Sequence, residues 1–398
     1  MTKLNNVQGS AFLNDQKRLL INGQWIEYAN DLVSVHNPST GDVITEVPQV
    51  GRDVAEQAIK AARTSFDNGV WTRLPAEQRS RILWRVADLI EQNAEELAWL
   101  ESINTGKPYL SCLNGEIPFA AQCFRYYAGW VGKVDGRTKS LNGAPDDEFH
   151  AYTKLEPIGV AALIVPWNGP LVQTVWKLAP ALAAGCSCIL KPAEVTPLTA
   201  LRLGELIIEA GVPDGVVNII TGKGSVVGAA LSESPLVDKV SFTGSTQTGR
   251  IILNAAGTNF KKVTLELGGK SPIFVFADAD IQSAIDGAAD AIFSNAGQVC
   301  VAGSRLYIEK SIYQEVLEGV KQKAESLKVG DGFDADTQMG PLISEQQLAN
   351  VSNWVQQGVA DGATLITGGK RLDRPGFYLQ PTIFSSVDQS MSIVQEEI

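Results

Sequence analysis

Apolar positions between residues 159 and 267 follow two alternating patterns. The run 160–165 is apolar throughout, which is typical of a strand buried on both faces of a sheet. Shorter strand-like runs follow at 187–190, 216–220, 239–242 and 262–265. Helical apolar spacing separates these runs, at about 170–184, 197–210, 224–232 and 245–257. Alternation of this kind predicts βαβ units that form a parallel sheet.

The segments on either side of this region carry different patterns. Residues 18–50 suggest short strands with a hairpin turn at Asn22-Gly23, and residues 52–134 show helical spacing. Residues 134–154 lose apolar periodicity, which favours an extended excursion or hairpin. Strand and helix patterns resume beyond Gly268-Gly269. We therefore predict a second α/β unit, with a boundary near residue 267 and a ligand cleft between the two units.

Composition narrows the choice of function and compartment. The net charge of −11 argues against nucleic-acid binding, which requires Lys/Arg patches. No apolar run is long enough to span a membrane, and the polar start does not resemble a secretory signal. Five sparse cysteines favour free thiols in a reducing compartment, which we take to be the cytoplasm. With only two histidines, His-rich metal sites are ruled out, and we expect no bound metal.

Three side chains stand in positions that suit acyl chemistry. Cys300 lies among small residues in Asn295-Ala296-Gly297-Gln298-Val299-Cys300 and is a candidate nucleophile, although a buried structural thiol is the commoner role. Glu266 lies between Leu265 and Leu267, where it is expected to be buried and to act as a general base, with a salt bridge as the alternative. Asn168 follows a strand and could donate to an oxyanion or only shape the turn.

Other motifs suit a dinucleotide. The glycine turns 221–224 and 242–250 each follow a strand and open a helix, so their backbone N–H groups could hold a pyrophosphate. They could equally be tight βα turns. The second turn is not a P-loop, because Arg250-Ile251 stands where Lys-Ser/Thr is required. Lys191 and Glu194 follow another strand and suit ribose hydroxyls, with a surface ion pair as the alternative.

Taken in order, these motifs resemble the NAD(P)-dependent aldehyde dehydrogenase superfamily from about residue 18 to the end. The matching segments are Pro166-Trp167-Asn168, Lys191-Pro192-Ala193-Glu194, Phe242-Thr243-Gly244-Ser245, Leu265-Glu266-Leu267-Gly268-Gly269-Lys270-Ser271-Pro272 and Gly297-Gln298-Val299-Cys300. The resemblance implies a Rossmann-like parallel-sheet cofactor domain (1–133 and 155–266), an oligomerisation arm (134–154) and an α/β catalytic domain (267–398). It also implies a homodimer or homotetramer.

The resemblance further implies a role for each motif. Cys300 would attack a small-molecule aldehyde, Asn168 would stabilise the oxyanion, and Glu266 would activate the water that hydrolyses the thioester. Lys191 completes the expected catalytic set and, with Glu194, would hold the adenosine ribose of NAD, with NADP as the alternative cofactor. The expected cofactor-binding residues are Val165, Pro166, Trp167, Lys191, Glu194, Gly222, Phe242, Gly244, Ser245, Leu267, Gly268 and Glu396. A non-catalytic scaffold, an inactive fragment and a cysteine hydrolase are the competing interpretations.

Two features depart from the family pattern. Gly169 stands where relatives often carry an aromatic residue, so a roomy apolar tunnel is expected, lined by Gly169, Trp176, Val299 and Val301 and suited to a branched, cyclic or aromatic aldehyde. The chain also stops at Glu396-Glu397-Ile398, where the family motif continues into Phe-Gly-Pro. The catalytic domain is therefore expected to be incomplete at its C-terminal end.

Overall fold

The N-terminal strands include a short hairpin. The structure, a computed structural model, describes residues 11–143, 145 and 148–398. β1 (Arg18–Ile21) pairs with β2 (Gln24–Glu27) in antiparallel register. Asn22 and Gly23 have φ of 53° and 74°, the left-handed conformations that a tight Asn-Gly turn requires, which confirms the predicted hairpin. β3 (Leu32–His36) and β4 (Val43–Pro48) form a second antiparallel pair.

Helices then cover most of residues 52–128. They are α1 (Arg52–Asp67), α2 (Ala76–Gln92), α3 (Ala94–Thr105), the single turn α4 (Tyr109–Ser111) and α5 (Ile117–Ala128). Each longer helix buries one apolar face, as Leu83, Val86 and Ile90 do in α2. A thin ribbon follows, made by β5 (Thr138–Lys139) and β6 (Ala151–Tyr152). Its strand residues are mostly exposed, and its role as an arm stays a prediction.

Strands and helices alternate from residue 160 to 267. The elements are β7 (Val160–Ile164), α6 (Pro170–Ala184), β8 (Ser187–Lys191), α7 (Leu198–Glu209), β9 (Val217–Ile219), α8 (Ala229–Glu233), β10 (Lys239–Gly244), α9 (Thr246–Ala256) and β11 (Lys262–Leu267). They form one seven-stranded sheet in the order β11-β10-β7-β8-β9-β1-β2. The strands β7 to β11 run parallel, and β1 joins β9 antiparallel. The predicted α/β fold with a parallel sheet is thus confirmed.

The two faces of this sheet bury separate apolar cores. Leu163 and Leu190 belong to a core shared with α2, α5, α6 and α7, whereas Ile164 and Ile189 belong to a core shared with α1 and α8. Neighbouring residues of a strand point to opposite faces, so each strand contributes to both cores. No helix within the described part of the chain is long and apolar enough to cross a membrane.

Residues beyond 267 build a further α/β layer with its own core. Its elements are β12 (Pro272–Val275), α10 (Ile281–Phe293), β13 (Arg305–Ile308), α11 (Tyr313–Ser326), α12 (Glu345–Ala360), β14 (Thr364–Thr367), β15 (Ile383–Ser385) and α13 (Ser392–Gln395). β12 and β13 are parallel and cover a core that includes Val275, Phe293 and Val316. The exact domain boundaries remain a prediction.

Candidate active site

The predicted cofactor residues lie where the parallel strands end. β7 leads into Val165 and Pro166, β8 ends at Lys191, β10 ends at Gly244 and β11 ends at Leu267. Because parallel strands end at the same edge of a sheet, this edge gathers segments that are distant in sequence. The residues placed on or next to it are Val165, Pro166, Trp167, Lys191, Glu194, Gly222, Phe242, Gly244, Ser245, Leu267 and Gly268.

Lys191 and Glu194 form the polar pair expected for a ribose. Lys191 Nζ lies 4.0 Å from Glu194 Oε1 and donates to Pro192 O at 3.1 Å. Burial lowers the pKa of Lys191, and the Glu194 carboxylate acts in the opposite direction. Glu194 Oε1 also accepts a hydrogen bond from Gly224 N at 2.7 Å. The carboxylate therefore links the strand end of β8 to the glycine turn after β9.

The N-terminus of α9 is open to an anion. Ser245 caps the helix, and its Oγ accepts from Thr248 N at 3.2 Å. Residues 245–248 are exposed, so a pyrophosphate can approach the N-terminus of the helix, where the Thr248 N–H is already bonded to Ser245. Together with the Lys191–Glu194 pair, this donor set fits a dinucleotide.

Packing alone accounts for two of the glycines near this edge. A Cβ on Gly244 would meet the Phe242 ring at 2.5 Å. Gly222 has φ of 151°, and a Cβ there would lie 2.9 Å from Val50 O. Neither glycine is by itself evidence for a cofactor, because each is required by its neighbours.

Cys300 differs from the other four cysteines. Cys112, Cys123, Cys186 and Cys188 are buried, whereas Cys300 is partly exposed. Burial raises the pKa of the Cys123 thiol to about 11, and it raises the pKa of the other three buried thiols as well. The burial of the other four cysteines suits a structural role, and Cys300 is the one cysteine that is partly exposed.

Asn168 lies against the loop that carries Cys300. Its Nδ2 donates to Gln298 O at 2.8 Å, and its main-chain O accepts from Asn295 Nδ2 at 3.1 Å. Gln298 is buried, and its Oε1 accepts from Ile343 N at 2.9 Å. These contacts unite two predicted site segments that are about 130 residues apart in the chain. No sequence pattern singled out the Asn295 and Gln298 contacts.

Glu266 is exposed, which corrects the expectation that it is buried between leucines. It lies on β11, an edge strand with alternating exposed and half-buried residues. Leu265 and Leu267 pack on the core shared with α1 and α8, and the two-residue period turns Glu266 to the opposite face. The two leucines therefore indicate a strand that packs on the core through one face only.

A buried lysine faces Glu266 from α6. Lys177 Nζ donates to Ser241 Oγ at 3.1 Å, and Ser241 lies on β10, which pairs with β11. Burial lowers the pKa of Lys177 to about 8, and the Glu266 carboxylate opposes that shift. Glu266 thus lies beside a cation on the α6 side of the sheet, where Asn168 precedes the same helix.

The glutamate pair at 396–397 lies beside the Gly268-Gly269 turn. Glu396 and Glu397 are both exposed, and the Glu397 carboxylate accepts a hydrogen bond from the Gly269 backbone. It lies so close to Gly268 that a Cβ there would overlap with the carboxylate. Burial raises the pKa of Glu397, and the Gly269 hydrogen bond and Lys270 oppose the shift. The Glu397 carboxylate is therefore the group of this pair that contacts the Gly268-Gly269 turn, and the ribose role of Glu396 stays a prediction.

The predicted tunnel residues separate into two groups. Gly169 precedes α6 and Trp176 lies on it, with the Trp176 ring edge-on to Phe119 at 5.6 Å. Trp176 and Phe119 are 49% and 43% exposed, so both offer apolar surface to a ligand. Val301 is 72% exposed, and Val299 lines a cavity of about 330 Å³ beside Lys270 and Arg305. Gly169, Trp176 and Val301 do not line that cavity.

Comparison with known proteins identifies the family of this chain. The aldehyde dehydrogenase family model matches residues 25–398. Phenylacetaldehyde dehydrogenase of Pseudomonas fluorescens is 46% identical, over 96% of this chain and 77% of its own length. Human retinal dehydrogenase 2 is 44% identical, over 96% of this chain and 73% of its own length. The NAD+ complex of an aldehyde dehydrogenase from Bacillus cereus superposes with a TM-score of 0.94 at 42% identity, covering 97% of this chain and 78% of that one. The chain belongs to the aldehyde dehydrogenase family.

Proposed function

We infer that this chain is an NAD-dependent aldehyde dehydrogenase in which Cys300 is the nucleophile. The observation that carries the residue assignment is the contact between the Cys300 loop and Asn168. It brings the one partly exposed thiol to the sheet edge that also holds the Lys191–Glu194 pair. The function is tested by NADH formation from a panel of aldehydes, which is expected in the wild-type protein and lost without the Cys300 thiol. Absence of NADH with every aldehyde would overturn it.

Asn168 and Cys300 together account for the first chemical step. The Cys300 thiol releases its proton to solvent, its sulfur attacks the aldehyde carbon, and the carbonyl electron pair moves to the oxygen to form a thiohemiacetal anion. An amide nitrogen carries two hydrogens, and Asn168 Nδ2 uses one on Gln298 O. The second is available to the oxygen that gains negative charge. Gln298 O can only accept a hydrogen bond. The contact therefore orients the Asn168 side chain so that its amide nitrogen, and not its amide oxygen, faces the Cys300 loop.

Glu266 completes the reaction by activating water. When bound, NAD+ supplies the acceptor for the hydride that leaves the thiohemiacetal, and a thioester remains on Cys300. Glu266 then removes a proton from water as the water attacks the thioester carbonyl. The C–S bond then breaks, the carboxylic acid departs, and the proton taken up by Glu266 passes to the Cys300 sulfur, which restores the thiol. An exposed carboxylate suits this role because water reaches it directly.

Glu194 provides the basis for choosing NAD over NADP. A carboxylate at the ribose repels a 2′-phosphate, so Glu194→Gln is expected to raise the ratio of kcat/KM with NADP to that with NAD by at least about 10-fold. The glutamine oxygen can still accept from Gly224 N, so the change removes charge and keeps the contact. Glu209→Gln, at the C-terminal end of α7, is the matched control. If the NADP-to-NAD ratio of kcat/KM is unchanged in Glu194→Gln, Glu194 does not determine the choice of cofactor.

Gly169 supports a bulky apolar substrate. A Cβ at Gly169 would meet only Gln173 Cγ, at 3.7 Å, so open space lies in front of Asn168. We propose an aromatic or other bulky aldehyde, and the exposed rings of Phe119 and Trp176 support the same choice.

Filling that space tests the proposed substrate class. Gly169→Phe is expected to lower kcat/KM for phenylacetaldehyde by about 10-fold or more and to spare acetaldehyde. Gly287→Phe adds the same bulk at an open position of α10 and is the control. A wild-type preference for acetaldehyde over phenylacetaldehyde and benzaldehyde would contradict the assignment.

We also propose a homo-oligomer in the cytoplasm. The exposed β5–β6 ribbon supports an arm that pairs with a second copy of the chain. Five free cysteines support a reducing compartment.

A further inference from the structure

The turn before Cys300 has an unusual backbone. Asn295, Ala296 and Gly297 have φ of 50°, 55° and 77°, so three successive residues are left-handed. Among the described residues, no other two consecutive non-glycine residues share this conformation. Residues with a Cβ disfavour it, so surrounding contacts must hold the turn in place.

The Asn295 side chain supplies two of those contacts. Its Nδ2 donates to Asn168 O at 3.1 Å and to Gln298 O at 3.3 Å. Its main-chain O accepts from Gln298 Nε2 at 3.0 Å and from Gln298 N at 3.1 Å. Asn295 therefore bonds both to the loop that carries the oxyanion donor and to the loop that carries the thiol.

We propose that Asn295 is a positioning residue that holds Asn168 and Cys300 in one register. Gln298 O receives the amide hydrogens of both Asn168 and Asn295, so the two asparagines share one acceptor two residues before the thiol. Loss of the Asn295 amide frees the Asn168 main chain and relaxes the left-handed turn. The side-chain N–H of Asn168 and the Cys300 sulfur are then no longer placed around the same aldehyde carbonyl group. The consequence for catalysis rests on the proposed function, whereas the consequence for the loop does not.

Two substitutions at Asn295 remove the side-chain amide and still allow the left-handed backbone conformation. Asn295→Gly keeps left-handed φ accessible and removes both side-chain hydrogen bonds. Asn295→Asp also tolerates left-handed φ and replaces the donor by an acceptor, and it serves if the glycine variant folds poorly. The matched control is Asn259→Gly, because Asn259 Nδ2 likewise donates to two carbonyls, Pro235 O at 3.1 Å and Val237 O at 3.2 Å.

Kinetics distinguish positioning from a general loss of stability. We expect Asn295→Gly to lower kcat about 10- to 100-fold with an unchanged Kd for NAD+, while Asn259→Gly retains kcat. In an Asn168→Ala background, Asn295→Gly should lower kcat by a much smaller factor, because the Asn168 amide that Asn295 positions is absent. Equal losses in the Asn295 and Asn259 variants, or full additivity with Asn168→Ala, would overturn the proposal.

Alkylation of Cys300 by iodoacetamide provides a test that needs neither aldehyde nor cofactor. The four buried thiols react slowly, so the early rate, located by peptide mass spectrometry, reports on Cys300. We expect a faster rate in Asn295→Gly and an unchanged rate in Asn259→Gly. If the wild-type protein forms no NADH from any aldehyde, the proposed function fails, and an unchanged alkylation rate in Asn295→Gly would separately reject the role of Asn295.

Discussion

Replacing Cys300 by alanine is expected to lower kcat for NADH formation by at least about 10,000-fold, the scale of losing a covalent nucleophile. No other thiol can substitute, because the remaining four cysteines are buried. Binding of NAD+ should be retained, since the Lys191–Glu194 pair and the α9 N-terminus follow strands of the seven-stranded sheet, which does not include Cys300. Steady-state absorbance of NADH and a separate titration with NAD+ measure the two effects.

A buried cysteine provides the control for this substitution. Cys188 is fully buried on β8, and Cys188→Ala should cost about 1 kcal/mol of stability and leave kcat nearly unchanged. Activity that is retained in Cys300→Ala and lost in Cys188→Ala would contradict the assignment of Cys300 as the nucleophile.

Glu266→Gln is expected to separate oxidation from hydrolysis. The amide cannot take a proton from water, so the thioester accumulates, and steady-state turnover should fall by about 100- to 10,000-fold. The first turnover does not need this base. Rapid mixing should therefore show a burst of close to one NADH per active site, followed by a slow phase.

The matched control lies at the opposite edge of the same sheet. Glu27 ends β2, is exposed, and has no contact with the proposed site. Glu27→Gln should show wild-type turnover without a burst. A Glu266→Gln variant with no burst and an equally slow first turnover would assign Glu266 to the oxidation step or to cofactor binding.

The main features of the sheet could be predicted because each rests on local pattern. A wholly apolar run such as 160–165 is buried on both faces, and Asn22-Gly23 has few conformations other than a hairpin turn. The candidate nucleophile was also accessible to sequence reasoning, since the motifs occur in the expected order. Burial then separated Cys300 from four cysteines that sequence alone could not exclude.

Features that depend on direction or on distant contacts could not be predicted. The sequence Leu265-Glu266-Leu267 fits either a buried acid or a strand with one apolar and one exposed face. The position of β11 at the edge of the sheet and its alternating burial show that the second description is correct. Glu396 and Glu397 are adjacent and chemically identical, so the sequence alone does not show that Glu397 is the one that contacts Gly269. The left-handed Ala296 has no sequence signal, because its conformation is set by contacts of Asn295 and Gln298.

The most direct test of the proposed mechanism is to locate the acyl group. Glu266→Gln protein is mixed with NAD+ and phenylacetaldehyde, quenched in acid during the burst, digested and analysed by mass spectrometry. The mechanism predicts a phenylacetyl group on the peptide that contains Cys300, at the sulfur, in an amount that matches the NADH burst. A burst without any acylated peptide, or an acyl group on a residue other than Cys300, would contradict it.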